Sequence, residues 1–580
     1  MLASTFSSIA EQKYDGKFLI SNHIRSNFIT AKGQKKIKTL AHIEFEGIFA
    51  MMANRFTDTL FQLVHSLEKS EKRHFKLYIK RSSAKEDLKI VQLYDALDKM
   101  EEYDERILLK KLPDVTKTQL ANLKNHLYKQ LLASLRLLKT HENVDLQLSE
   151  HLDNARLLYN KGLKIQALKI LEKAKELARL NQKYNTLVQI LSLEKKIETL
   201  HITRSSTEKT EELAREAQEN SEHINRVTRL SNLALLLYRW YVIHGHARNE
   251  LDESDIKLFF KNYLPADVEM VNGFYENLYL YQSYCWYAFI RQDFLMYYRY
   301  SQKWIDLYNE QPNMIGVETG HYIKGMHNLL NSLFDLRNYE KFELVLKQFE
   351  AFSRSPAATE HDNFRTHTSI YINSAKINWH LMTGTFQEGL KLVPDIENNL
   401  EKYALFVDRH RILVFNYKIA SLYFGAGQYS TSIDYLIKII NGPLDLRIDL
   451  QCYARLLHLM AHYEMGNYDI IESLIKSVYR FMAKMKNLTV VEEEMFRFLR
   501  NSFDVSPRLL RPELEKFLNK IKHLEDSRFE TRAFAYLDVI SWVESKVYNK
   551  TMGQVIYDKY MKSKKRHYKG HISSKTLSAA

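Results

Sequence analysis

Residues 155–178 read ARLLYNKGLKIQALKILEKAKELA. A helix-forming run ends near Lys161, and Gly162 can take the left-handed conformation that closes a helix at no side-chain cost. Apolar residues then recur at Ile165, Leu168, Leu171 and Ala174, the spacing of a second helix. The stretch predicts a helical hairpin with a tight turn at Gly162. Everything downstream can be asked whether it repeats that unit.

It does so seven times. A turn residue followed two places later by an aromatic occurs at Gln292-Asp293-Phe294, Arg337-Asn338-Tyr339, Gly384-Thr385-Phe386, Gly427-Gln428-Tyr429 and Gly466-Asn467-Tyr468, with weaker versions near Ser205 and Gly245. From Gly162 onward the steps are 43, 40, 47, 45, 47, 43 and 39 residues. A varying step predicts a divergent array with long helices.

The placement of Gly162, Ala167, Leu171 and Ala174 resembles the tetratricopeptide repeat, whose pattern has a glycine in the turn, a small residue five on, and apolar and small residues nine and twelve on. The usual period of that family is about 34 residues, so the array here is longer per unit. Five after the turn come Ala167, Gly389 and Ser432, but also Tyr297, Phe342 and Ile471. The segment SEKRHFKLYIKR with YDALDKMEEYDE resembles the start of a group of bacterial tetratricopeptide-repeat proteins that have no assigned activity. The resemblance implies an all-α fold: a right-handed α-solenoid of hairpins with a period of 39–47 residues, preceded by a small helical head.

Composition agrees with helix. The 580 residues contain only 17 glycines and 8 prolines, and the length exceeds what one core usually serves. The two cysteines, Cys285 and Cys452, have no metal-type spacing, no signal-peptide pattern opens the chain, and no apolar run reaches the length of a membrane span. A reduced, cytoplasmic protein is expected.

The net charge of +14 is uneven. Residues 51–140 carry 18 basic against 12 acidic side chains, residues 546–580 carry 9 against 1, and the remaining middle is close to neutral. A surface that tracks phosphates would be basic along its length, so the middle is not one. Four segments follow: 1–50, a disordered extension or start-site artefact before Met51-Met52; 51–142, the helical head; 143–545, the repeat array; and 546–580, a basic C-terminal segment and tail. In the head, Phe75, Leu77 and Ile79 are read as buried or partly buried, Ser70 as a helix start, and Lys117 to Lys139 as a long helix after Pro113.

Candidate chemistry is sparse. YQSYCWYAFIRQDFLMYYRY, residues 281–300, holds nine aromatic rings. Tyr297, Tyr300 and Trp304 fall at helical spacing and read as packing. The other reading is an aromatic cradle for a peptide, with Trp286 as its exposed ring. His458 and His462, His244 and His246, and His361 with His367 read as packed, turn or capping histidines rather than metal ligands. Glu101-Glu102-Tyr103-Asp104-Glu105 and Glu492-Glu493-Glu494 read as helix N-terminal or solvated carboxylates. There is no glycine-rich phosphate loop, no nucleophile elbow and no paired CxxC, so no catalytic residue, metal or cofactor is assigned and the chain is read as no enzyme.

The array carries the functional expectation. In such repeats the first helix of each hairpin lines the concave face. Counting back from the turns puts Lys324, Asn328, Asn331, Tyr371, Asn378, Tyr417 and Lys418 on it, to which Trp286 is added. The set resembles, loosely, the Asn-and-Lys groove in which some family members hold a peptide's backbone or terminal carboxylate. The reading is a non-catalytic scaffold whose partner is a protein or peptide, a second copy of the chain included. The alternative is a nucleic-acid-binding regulator that contacts DNA through Lys117, Thr118, Gln119, Asn122 and Lys124 of the head, with the array as sensor or dimerisation module.

Overall fold

The computed structural model describes residues 58–563, except 81–84, 201–206, 404–406, 443–447, 486–487 and scattered positions between 503 and 536. The first fifty residues, the turn near Ser205 and the end of the basic tail lie outside the described residues. Among the described residues every regular element is helical and no strand occurs. No described helix is long and apolar enough to cross a membrane. The chain divides into two compact units between Ser134 and Leu135.

The first unit contains α1 (Thr59–Ser66), α2 (Lys69–Lys80), α3 (Lys85–Asp98), α4 (Glu105–Lys111) and most of α5 (Lys117–Lys139). Asp58 caps α1 by accepting the backbone N–H groups of Leu60 and Phe61, both at 3.0 Å. Phe61, Val64, Phe75, Ile79, Leu93, Tyr94 and Leu127 form its core. The bounds of α5 are those the sequence predicts. Leu77 corrects the expectation of burial: it is 54% exposed. Residues 75 and 79 are four apart and share a helix face, whereas 77 lies on the opposite side.

In the second unit the helices follow as hairpins: α6 (Val144–Asn160) with α7 (Lys164–Leu180), then α8 (Tyr184–Leu200), α9 (Thr207–His244), α10 (Glu250–Tyr263), α11 (Phe274–Ile290) with α12 (Phe294–Glu310), and α13 (Thr319–Asp335) with α14 (Tyr339–Phe352). α15 (Asp362–Thr383), α16 (Phe386–Leu390), α17 (Val393–Lys402), α18 (Arg409–Gly425), α19 (Tyr429–Ile440), α20 (Ile448–Glu464) and α21 (Tyr468–Lys484) continue the alternation. α22 (Val490–Ser502), α23 (Pro507–Lys522), α24 (Val539–Val547) and α25, residues 552–563, end it.

Each turn inferred from the sequence within the described residues has a left-handed residue at the expected place: Gly162, Gly245, Gln292, Arg337, Gly384, Gly427 and Gly466, with φ between 50° and 79°. Most close with the same pair of hydrogen bonds. At Arg337, its own N–H donates to Phe334 O at 3.1 Å and Asn338 N–H donates to Leu333 O at 3.0 Å. Gln182 and Asn549 make two further turns of this kind that the spacing above passes over: neither is glycine, Asn549 has no aromatic two residues on, and Gln182, which has Tyr184, follows Gly162 by only 20 residues. α9 explains one irregular step. Its 38 residues contain no glycine or proline, so the second helix of one hairpin runs unbroken into the first helix of the next.

Packing is repeat-like. Among the first helices of the hairpins, α9 packs on α11, and α13, α15, α18 and α20 pack one on the next, while α12 packs on both α11 and α13 and joins the two groups. The aromatic stretch belongs to this core. Trp304 and Tyr308 are fully buried and Tyr297 is buried, while Tyr300 stacks on Tyr284 at 4.1 Å between ring centres. Packing also continues past residue 545, where the sequence reading ends the array: Val555 and Ile556 of α25 are buried, and Tyr560 lies against Tyr339 and Trp379. The lysines around them hide a short apolar stripe in a segment whose overall charge is basic.

Candidate binding cavity

First helices of the hairpins form one wall of a cavity of about 1280 Å³. Tyr238 and Tyr241 of α9, Trp286 and Phe289 of α11, Lys324, His327, Asn331 and Asp335 of α13, Tyr371, Ser374 and Asn378 of α15, and Arg411, Tyr417 and Lys418 of α18 line it. Leu537, Met552 and Ile556, from the α24–α25 region, also line it.

Of the residues read from the sequence as groove-lining, Trp286, Lys324, Asn331, Tyr371, Asn378, Tyr417 and Lys418 border this cavity. Asn328 does not; it is buried, 9% exposed, beside Leu329 and Leu330. On α13 the cavity face runs through 324, 327, 331 and 335, steps of three and four, and Asn328 is turned off that line. His327, Asp335, Ser374 and Arg411 were not singled out in the sequence. The same stride along α13, carried through every polar residue, reaches both His327 and Asp335.

The centre of the wall is a stack. The His327 imidazole lies on the Tyr371 ring at 3.9 Å between centres, with planes 12° apart. Asn331 Nδ2 is 3.0 Å from His327 Nε2. Arg411 Nη2 donates to the Tyr371 hydroxyl at 3.1 Å and its guanidinium lies 5.3 Å from the ring centre, with Lys324 Nζ at 5.7 Å from the same ring. Lys418 Nζ donates to Ser374 Oγ at 2.6 Å.

Electrostatics here are unusual because the side chains are half-buried. Burial, then the positive charges of Lys324, Lys418 and Arg411, holds His327 well below its ordinary pKa, so the imidazole is neutral. Burial brings the Lys418 ammonium down to about 7, opposed by the negative charge of Asp335. Burial pushes the Asp335 carboxyl up to about 7, opposed by Arg337 and Lys418. Lys418 and Asp335 influence one another without forming an ion pair.

The remaining candidates are engaged elsewhere. His458 and His462 pack at 4.5 Å between ring centres, and His462 Nδ1 lies 2.9 Å from Asn467 Nδ2. Glu464 accepts from Trp542 Nε1 at 2.6 Å. His246 Nδ1 is 2.8 Å from Phe289 O, and His367 Nδ1 is 2.7 Å from Asn363 O. Glu492 is buried and accepts from the Tyr453 hydroxyl at 3.0 Å and Thr489 N–H at 2.8 Å, so it caps α22 rather than facing water. In the head, Lys117, Thr118, Gln119 and Asn122 are exposed, while Lys124 turns inward to the Asp58 carboxylate and, at 2.8 Å, the Tyr103 hydroxyl. No family model matches the chain, and no curated protein matches it significantly.

Proposed function

We propose that the second unit is a tetratricopeptide-like, right-handed α-solenoid and that the protein is a non-catalytic cytoplasmic scaffold holding a protein or peptide in the cavity lined by its first helices. The observation that carries this reading is the convergence of polar and aromatic side chains from five helices, α9, α11, α13, α15 and α18, on one space of about 1280 Å³. Asparagine can pair with peptide amides, lysine can attract an anionic group, and tyrosine adds contact area at little entropic cost.

The test is a nuclease-treated capture of partners from the native cytosol by the intact protein and by a Lys324→Ala, Asn331→Ala, Asn378→Ala variant whose circular dichroism matches it. A defined protein held by the first and lost by the second is the expected result. Identical capture by both would remove the cavity from partner binding.

A further inference from the structure

The cavity wall brings three cations together, and although the carboxylates of Asp335, Asp408 and Asp449 also line the space, Arg411 alone of the three is ion-paired. Among the described residues, neither Lys324 nor Lys418 has a carboxylate within ion-pair distance. Arg411 pairs with Asp408 at 3.3 Å through Nε and turns Nη2 to Tyr371. The three come from two helices, α13 and α18, yet Lys324 Nζ and the Arg411 guanidinium lie 5.7 and 5.3 Å from the centre of one ring, that of Tyr371, and Lys418 Nζ reaches Ser374, three residues further along α15. They therefore point at one region. Within it, the groups in direct contact with Lys418 Nζ are neutral: the hydroxyl of Ser374 and, at 3.4 Å, its carbonyl oxygen.

Half-buried cations without an ion-pair partner are costly, and a fold that sets two of them, Lys324 and Lys418, beside Arg411 is relieved when an anion joins them. We propose that Lys324, Arg411 and Lys418, above the His327–Tyr371 stack, form a binding site for a phosphoryl group. Two ammonium groups and a guanidinium approaching from separate helices suit the tetrahedral, multiply charged face of a phosphate ester; a planar carboxylate has only two oxygens to offer them. The aromatic stack beneath is neutral and adds contact without competing charge. This inference rests on the reading that the cavity receives a ligand, and it names the chemistry of that ligand. A phosphorylated side chain of a protein and a free phosphate ester share this chemistry.

The experiment is thermal unfolding of the full-length protein with inorganic pyrophosphate and, at matched ionic strength, with succinate. The expected result is a rise in the midpoint with pyrophosphate that is absent with succinate and absent in the Lys418→Met and Arg411→Met variants. No rise, an equal rise with succinate, or an undiminished rise in both variants overturns the proposal. Should the variants fail to fold, trace acetylation of the native chain decides. Pyrophosphate should slow modification of Lys418 several-fold and leave the exposed Lys347 and Lys391 unchanged; equal slowing at all three, or none at Lys418, overturns the site.

Glucose 6-phosphate and a phosphoserine peptide, compared in the same assay, identify the source by which gives the larger shift. A pyrophosphate effect together with partner capture indifferent to the triple variant keeps the phosphoryl site and removes the protein-scaffold reading. Variant-sensitive capture without a pyrophosphate effect does the reverse.

Discussion

Gly384 and Gly553 each occupy the space in which the other's side chain would stand. A Cβ on Gly553 would come 2.8 Å from Gly384 O, and a Cβ on Gly384 would collide with Gly553 O and meet Ile556 Cβ at 3.0 Å. The turn after α15 thereby receives α25 backbone to backbone, which binds the end of the chain to the middle of the repeat stack.

That contact separates two glycines with the same backbone. Gly384 and Gly427 have φ of 74° and 78°, but a Cβ at Gly427 meets nothing within 4 Å. Gly427→Ala should cost only the left-handed penalty, about 1 kcal/mol. Gly384→Ala should cost several times as much, because backbone cannot move aside as a flexible side chain can. Urea midpoints of the two variants check this; equal losses would mean that α25 does not seat on the turn.

A second prediction concerns Lys175 and Glu194, which pair at 2.9 Å between α7 and α8 with side-chain exposures of 7% and 2%. Glu194→Leu leaves an enclosed ammonium with only the half-exposed Glu172 nearby, at 3.2 Å, and should lose about 3–5 kcal/mol. Lys175→Met with Glu194→Leu should recover most of that loss, since a packed apolar pair replaces the ion pair. A double-mutant cycle by denaturant unfolding measures both. Additive losses would contradict the pairing.

How much of this was legible in the sequence depends on what each signal encodes. Turns were readable at Gly162 and Gly466 because a glycine marks the left-handed position, and at Gln292 and Arg337 only because an aromatic stands two residues on. Asn549 carries neither mark, and Gln182, though Tyr184 stands two residues on, falls only 20 residues after Gly162, outside the period. The cavity face was readable from helical phase, which found Lys324, Asn331 and Lys418. Burial of the charges was not readable: that Asp335 and Lys418 are both half-buried follows from how α13, α15 and α18 lie in space, a long-range property that no local pattern carries. Leu77 shows the opposite error, where alternation along three residues suggested a burial that a helix cannot provide.

The head offers a test of the nucleic-acid alternative. Lys124 is 18% exposed and held by Asp58 and Tyr103, whereas Lys117 is 82% exposed and reaches Glu105 only at 3.5 Å. Lys124→Met should lower stability by about 1–3 kcal/mol, since it strands a partly buried carboxylate; Lys117→Met should change it by less than about 0.5 kcal/mol. The intact protein should not retard duplex DNA at low salt. Retardation whose salt slope falls by about one unit in Lys117→Met would instead establish a phosphate contact there.

The last prediction uses the opposed ionisations of Lys418 and Asp335. Unfolded, Lys418 holds its proton up to about its ordinary pKa of 10.5; folded, it releases it near 7. Between those values the unfolded chain binds more protons, so stability from this group rises with pH. Its penalty is complete below about pH 7 and gone above 10.5. Lys418→Met removes that penalty and should stabilise the fold most at and below neutrality, by at most about 5 kcal/mol, the gain fading as the solution becomes alkaline. Asp335 runs the other way. Its folded pKa of about 7 lies above the ordinary 3.8, so its penalty is absent in acid, grows between those values, and is complete above neutrality. Asp335→Asn should therefore stabilise the protein at neutral and alkaline pH and have no effect in acid. Unfolding midpoints of the wild type and both variants across pH should diverge in mirror image about neutrality. Parallel curves would show that neither side chain is half-buried, and the phosphoryl site built on Lys418 would lose its physical basis with them.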